Sequence, residues 1–290
     1  MSRIAYVNGR YVPHRTAKVH VEDRGFQFAD GVYEVCEVFA GNIVDVTRHL
    51  DRLGRSLSEL SIDWPVTRAA LVAILREVVS RNRVVNGLVY MQVTRGVSKR
   101  DFGFPTPSVP STLVVTSRSA SRAAAEKITE EGVRVVTTPD IRWERVDIKS
   151  VALLPQVLAK QFARSNGAAE AWMFDKDGYV TEGASSNAWI VTEDGTLVTR
   201  PAERGILRGI TRAAIMDYAA AHGIKVEERA FTVDEAKHAR EAFITAATAI
   251  VTPVVQIDET VLGNGVPGSV ASALRAHFHD DVELVPLRHY

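Results

Sequence analysis

Short runs of alternating apolar and polar residues open the chain, separated by turn dipeptides. Residues 4–7 and 10–12 flank Asn8-Gly9, a pair suited to the positive φ angles of a tight hairpin. Residues 32–39 and 43–46 flank Gly41-Asn42, which predicts a second hairpin. The period then changes. Leu50, Leu53, Leu57 and Leu60 recur at helical spacing, so a helix is expected over 47–60. Thr67 can cap another helix, whose apolar face carries Leu71, Ile74, Leu75 and Val78. Residues 87–94 and 112–116 read as strands.

The stretch from Ser117 to Arg122 is polar, serine-rich and without strand periodicity, and is read as a linker. The expected division is a small domain over 1–117, a linker over 118–122 and a larger domain over 123–290. Beyond the linker, strands are expected at 132–138, 170–174, 188–192, 196–199 and 242–245. Asp177-Gly178 and Asp194-Gly195 supply turns. Residues 211–221 form the clearest helix, with His222-Gly223 as its stop. The pattern as a whole is α+β.

Composition narrows the function classes. The 290 residues are 46% hydrophobic and 24% charged, with 35 basic and 35 acidic side chains. Zero net charge and the lack of a basic stripe argue against nucleic acid as a partner. No apolar run reaches the ~20 residues of a membrane span, and no signal-peptide core opens the chain. The single cysteine, Cys36, excludes an intrachain disulfide and suits a reducing, cytoplasmic setting. It lies in a strand, where a buried thiol behaves as a small hydrophobe.

Five clusters carry candidate chemistry. In Arg142-Trp143-Glu144-Arg145-Val146-Asp147-Ile148-Lys149-Ser150, Lys149 is followed by an apolar run. Desolvation there favours the neutral amine that imine formation needs. By itself, a lysine in such a run is more often a snorkelling surface residue. Thr181-Glu182-Gly183-Ala184-Ser185-Ser186-Asn187 sets a carboxylate among small residues, suited to a protonated ring nitrogen, or to a plain polar loop. Gly205-Ile206-Leu207-Arg208-Gly209-Ile210-Thr211-Arg212 opens the clearest helix, where free N–H groups and the helix dipole attract phosphate. Ordinary capping explains it equally. The others are Arg24-Gly25-Phe26-Gln27-Phe28-Ala29-Asp30-Gly31-Val32-Tyr33-Glu34 and His49-Leu50-Asp51-Arg52-Leu53. The planar fork of Arg52 suits a phosphate dianion.

In this order the clusters resemble the fold-type IV pyridoxal-phosphate enzymes, and most nearly the D-amino-acid aminotransferases. The resemblance runs from Tyr6-Val7-Asn8-Gly9 to Thr252-Pro253-Val254. It implies a two-domain α+β fold, with a small N-terminal α/β domain and a larger C-terminal pseudo-barrel domain. It implies pyridoxal 5′-phosphate as cofactor, amino acids and 2-oxo acids as substrates, and a homodimer with each active site at the subunit interface. Lys149 matches the Schiff-base lysine and Glu182 the partner of the pyridine nitrogen. Arg52, Ile210 and Thr211 match the phosphate site. Leu207 matches the residue packed on the ring, and Arg142 one near the phenolic oxygen. Tyr33 and Arg100 match residues that read the substrate carboxylate.

Two departures stand out. Arg100-Asp101-Phe102 replaces an Arg-x-His trap, and Phe102 cannot donate a hydrogen bond. In Thr245-Ala246-Ala247-Thr248, Ala246 and Ala247 offer only backbone donors to a phosphate where hydroxyls are usual. One lost neutral contact weakens binding by about 1 kcal/mol. The expected reaction is ping-pong transamination, by default from D-alanine to 2-oxoglutarate. The alternatives are a branched-chain L-amino-acid or (R)-amine transaminase, which Phe102 keeps open, an aminodeoxychorismate lyase, and a non-catalytic binding protein.

Overall fold

A computed structural model describes residues 3–203 and 205–287. The first elements along the chain are β1 (Ile4–Val7), β2 (Arg10–Pro13), α1 (Arg24–Phe28), β3 (Gly31–Phe39), β4 (Asn42–Val44), α2 (Val46–Glu59), α3 (Arg68–Arg81), β5 (Gly87–Thr94) and β6 (Thr112–Ser119). Next come α4 (Arg122–Glu131), β7 (Val133–Pro139), α5 (Leu154–Ser165), β8 (Glu170–Phe174), β9 (Val180–Gly183), β10 (Asn187–Val191) and β11 (Leu197–Thr199). The last are α6 (Ile210–Ala221), β12 (Val226–Glu228), α7 (Val233–Lys237), β13 (Glu241–Ala246), β14 (Ile250–Ile257), β15 (Thr260–Val261), α8 (Ser269–His277) and β16 (Leu284–Pro286).

The chain falls into two compact units. The first holds the chain up to Ser121, the pentapeptide Ile148–Ala152 and the chain from Glu283. The second holds Arg122–Asp147 and Leu153–Val282.

In the first unit a seven-stranded sheet has the order β16-β4-β3-β5-β6-β1-β2. Alternation along β3 decides what is buried. Val32, Glu34, Cys36 and Val38 are enclosed, while Tyr33, Val35, Glu37 and Phe39 are half-exposed on the other face. The enclosed face meets Leu50, Leu53 and Leu57 of α2 and Leu71, Leu75 and Val78 of α3. Burying each leucine contributes about 1.5–3 kcal/mol. Thr67 caps α3 by accepting from the Ala70 amide at 3.2 Å.

The second unit holds a nine-stranded sheet, β12-β11-β10-β13-β14-β7-β8-β9, with β15 on β14. The first four residues of β8 and all of β10 and β11 are buried, so these strands lack alternation and are largely apolar, with Glu170, Asn187 and Thr199 the polar residues among them. Trp172, Phe231, Ile190 and Ile257 fill one core. Trp189 stacks on Phe243 with centroids 5.4 Å apart, and its indole N–H donates to Thr245. Helix α5 rests on Val136, Ala171 and Met173 through Ala159 and Ala163, whose small side chains allow close approach.

Several sequence expectations need correction. The second hairpin turns at Ala40-Gly41, with φ of 47° and 77°, not at Gly41-Asn42. Phe39 pairs with Asn42, so Asn42 already lies in β4. Val46 opens α2 rather than ending a strand. Ser117, Arg118 and Ser119, read as linker, continue β6, where Ser117 pairs with Val89 and Ser119 with Gly87. Ser117 is buried while Arg118 and Ser119 are exposed, and three polar side chains in succession hid that continuation. Thr181, Glu182 and Gly183 form strand β9 rather than a polar loop.

Candidate active site

In the first unit, Ser150 bridges Val32 at the start of β3. The Tyr33 amide donates to the Lys149 carbonyl and the Val151 amide to the Gly31 carbonyl, both at 3.0 Å. The Lys149 amide donates to Ser56 Oγ of α2 at 3.3 Å. The pentapeptide is thus pinned on two sides, and the lysine stem starts from a fixed backbone. Its Nζ lies 3.5 Å from the Tyr33 hydroxyl and 4.4 Å from the centre of that ring. Tyr33 stacks on Tyr90 at 5.6 Å, and the Tyr90 hydroxyl donates to Gln92 Oε1 at 2.7 Å. Burial, with Tyr33 beside it, pushes the Tyr90 phenol well above its ordinary pKa.

Behind β3, Glu34 is fully enclosed. Arg52 of α2 grips it in a fork, Nε to Oε1 at 2.7 Å and Nη2 to Oε2 at 2.8 Å. His49 Nδ1 lies 2.7 Å from Oε2. Burial alone would raise the Glu34 pKa, but the Arg52 charge, its hydrogen bonds and His49 outweigh burial and hold it far below the carboxylate range. The guanidinium is correspondingly held in one plane on the helix. Glu34 and His49 were visible in the sequence clusters but had no role there. Their signal is an acid at a buried strand position facing a helix that carries His and Arg three residues apart.

Glu182 is the hub of the second unit's cluster. Arg142 Nη1 donates to its Oε1, Asn187 Nδ2 donates to Oε2 at 2.9 Å, and the Leu207 amide lies 3.2 Å from both oxygens. Arg142 is also forked onto Asp140, through Nε at 2.9 Å and Nη2 at 2.7 Å. These contacts keep Arg142 charged despite its burial. Asn187 spans a second contact, donating to the Leu207 carbonyl at 2.9 Å. A Cβ on Gly209 would fall 2.0 Å from Asn187 Oδ1, so only glycine fits there. Asp140, two residues before Arg142 in a turn, escaped the sequence reading.

Gly209 is the N-cap of α6, and no side chain caps that helix start. Ile210 and Thr211 are its first two residues and both are buried. Ala246 ends β13, and Ala247 follows in the turn before β14.

The structure brings Lys149 to Tyr33, and Arg142 and Leu207 to Glu182. Arg100 and Phe102 lie elsewhere in the first unit. Both are exposed, Phe102 to 85%, and both pack on Phe28, with Arg100 4.7 Å above its ring and Phe102 5.5 Å from it. Among the described residues neither has a hydrogen bond or ring contact with Tyr33 or Lys149. Arg24 anchors this segment by donating to the carbonyls of Asp101 and Phe102, at 2.6 and 3.3 Å.

Residues 31–257 match the family model for amino-transferase class IV. A D-alanine aminotransferase of Staphylococcus haemolyticus is 39% identical over 278 residues, 96% of this chain and 97% of that protein. One from Bacillus licheniformis is 38% identical over 275 residues, 95% of each. Among solved structures, the branched-chain aminotransferase of the archaeon Thermoproteus uzoniensis superposes with a TM-score of 0.84 at 27% identity, covering 96% of this chain and 94% of that one. The Escherichia coli branched-chain amino acid aminotransferase gives 0.87 at 23%, over 97% and 94%, and shows the shared fold alone.

Proposed function

Because the chain belongs to the class IV amino-transferases, we propose that it moves the amino group of a D-amino acid, D-alanine by default, to a 2-oxo acid such as 2-oxoglutarate. One observation carries the choice of substrate: the D-alanine enzymes align over nearly the full length at 38–39% identity. The branched-chain enzyme of Thermoproteus uzoniensis reaches only 27%.

The cofactor, pyridoxal 5′-phosphate, supplies an aldehyde for amines and a ring that holds the electron pair left when a Cα–H bond breaks. The donor set of this chain suits it. Arg52 keeps a guanidinium fixed in place by its fork onto Glu34, and α6 begins without a side-chain cap. The Thr211 hydroxyl has no hydrogen-bond partner among the described residues. Glu182 offers an anion to a ring nitrogen, with Leu207, from the segment before α6, beside it.

In this reading Lys149 would hold the cofactor's aldehyde, and its amine would move a proton at the substrate Cα. Tyr33 keeps a phenol beside that amine and reads the substrate carboxylate. Arg142 acts on Glu182 rather than at the phenolic oxygen. Ala246 and Ala247 contribute backbone donors only. Arg100 and Phe102 serve the site of a second copy in a homodimer, which accounts for their lack of contact with Tyr33 within one chain.

Support for that dimer comes from α5. Leu154, Val157, Leu158 and Phe162, spaced as one helix face, are 45–68% exposed. No helix among the described residues is long and apolar enough to cross a membrane. A cytoplasmic setting suits the buried free thiol of Cys36.

The deciding experiment follows the visible spectrum of the holoenzyme while D- and L-amino acids are added separately. D-Alanine should discharge the imine band and L-leucine should not. Lys149→Ala should lose that band and nearly all turnover. Wild-type turnover in that variant would end the proposal.

A further inference from the structure

We infer that Asp140 is a positioning residue for the cofactor's ring nitrogen: it acts through Arg142 and Glu182, and it gives that cluster the net negative charge that keeps the nitrogen protonated. The inference rests on the reading of Glu182 as the nitrogen's partner.

A carboxylate paired with a guanidinium is a neutral pair. Such a pair exerts little net pull on a proton held by a third group. Glu182 is in that position, because Arg142 Nη1 occupies its Oε1 and both side chains are nearly inaccessible to water. Asp140 changes the sum. It takes Arg142 Nε at 2.9 Å, Nη2 at 2.7 Å and the backbone amide of Arg142 at 3.0 Å. The Thr181 hydroxyl donates to the same carboxylate at 2.7 Å. Burial works against charge on Asp140, but the hydrogen bonds from Arg142 and Thr181 outweigh it and hold its carboxyl below the usual range. The three side chains therefore carry two anions and one cation, in alternating order.

That order has two consequences. Arg142 Nη1 holds the Glu182 carboxyl in place, so that it can face a protonated ring nitrogen. The far anion offsets the guanidinium, so the Glu182 end is more negative than the Arg142–Glu182 pair alone would make it, which favours a pyridinium facing it. In a buried site such interactions are screened little by salt. The strands explain how the row is built. Asp140 directly follows β7, Thr181 and Glu182 sit on β9, and β8 lies between them in the sheet. Thr181 thus ties one end of the row to the strand that carries the other.

The test uses holoenzyme loaded with cofactor whose ring nitrogen is isotope-labelled, read by nuclear magnetic resonance at neutral pH. Asp140→Asn should move the nitrogen resonance from the protonated toward the unprotonated position, in the same direction as Glu182→Gln, and raise the cofactor dissociation constant at least tenfold. Asp140→Glu should restore part of the shift. If Asp140→Asn does not fold, Thr181→Val carries the test, with a smaller move in the same direction expected. A resonance unmoved in Asp140→Asn, or in Thr181→Val where that variant stands in, while Glu182→Gln moves it, would overturn the inference. A resonance unmoved by Glu182→Gln would instead overturn the reading beneath it.

Discussion

Glu34 shows how one buried charge is kept by its neighbours. Its folded pKa is depressed, so its contribution to stability is complete above the unfolded value of about 4.3. That contribution is lost as pH falls below this value toward the folded one. Denaturant titrations of the wild type should therefore show stability dropping steeply in acid. Glu34→Gln should flatten that slope and lower stability at pH 7 by about 3–5 kcal/mol, because Arg52 loses its anion while remaining buried. An unchanged acid slope would place the acid sensitivity on other groups. Single residues were also where the sequence was most informative and least complete. Lys149, Arg52 and Glu182 stand out by type and neighbours. Their supports, Glu34, His49, Asp140 and Asn187, are ordinary polar residues until the strands bring them within bonding distance.

Elements were legible where one period dominated. Strand β5 and the Thr67-capped α3 follow their patterns closely. Helix α5 escaped because apolar residues lie on both of its faces, alanines inward and large side chains outward, which blurs the period. Strand β14 escaped because Pro253 sits in its interior, where proline ordinarily demotes a strand. The ladder to β7 begins only beyond it, at Val254, and shifts register before Gln256. Helix α8 depends on a cap that no sequence window could show. Glu241 of β13 accepts from the amides of Val270 and Ala271 at 3.1 Å. A Cβ on Gly268 would lie 1.9 Å from the Glu241 carboxyl carbon. Gly268→Ala should displace that cap and cost about 1–2 kcal/mol, measured as a lower denaturation midpoint. Stability equal to wild type would mean that Glu241 re-forms the cap from a shifted position.

For the whole molecule, the apolar face of α5 sets the expected assembly. Leu158→Glu places a charge in that stripe and should shift the sedimentation profile from dimer to monomer. Wild-type behaviour would remove α5 from the proposed dimer contact. The C-terminal strand is equally consequential within one chain. Glu283 accepts from the Thr47 amide and hydroxyl at 2.8 Å, and β16 pairs with β4. Truncation after Val282 should thus lower the melting temperature by removing an edge strand and the acid at the start of α2.

The five residues around Lys149 belong to the first unit, though the chain on either side of them belongs to the second. Genetic recombination between relatives at one crossover point near Ser121 would therefore take Tyr33 from one parent and Lys149 from the other. Chimaeras inherit a matched amine and phenol only when two further junctions, flanking that pentapeptide, travel with the first segment. A single junction near Ser121 thus separates the sources of two groups that meet within one unit.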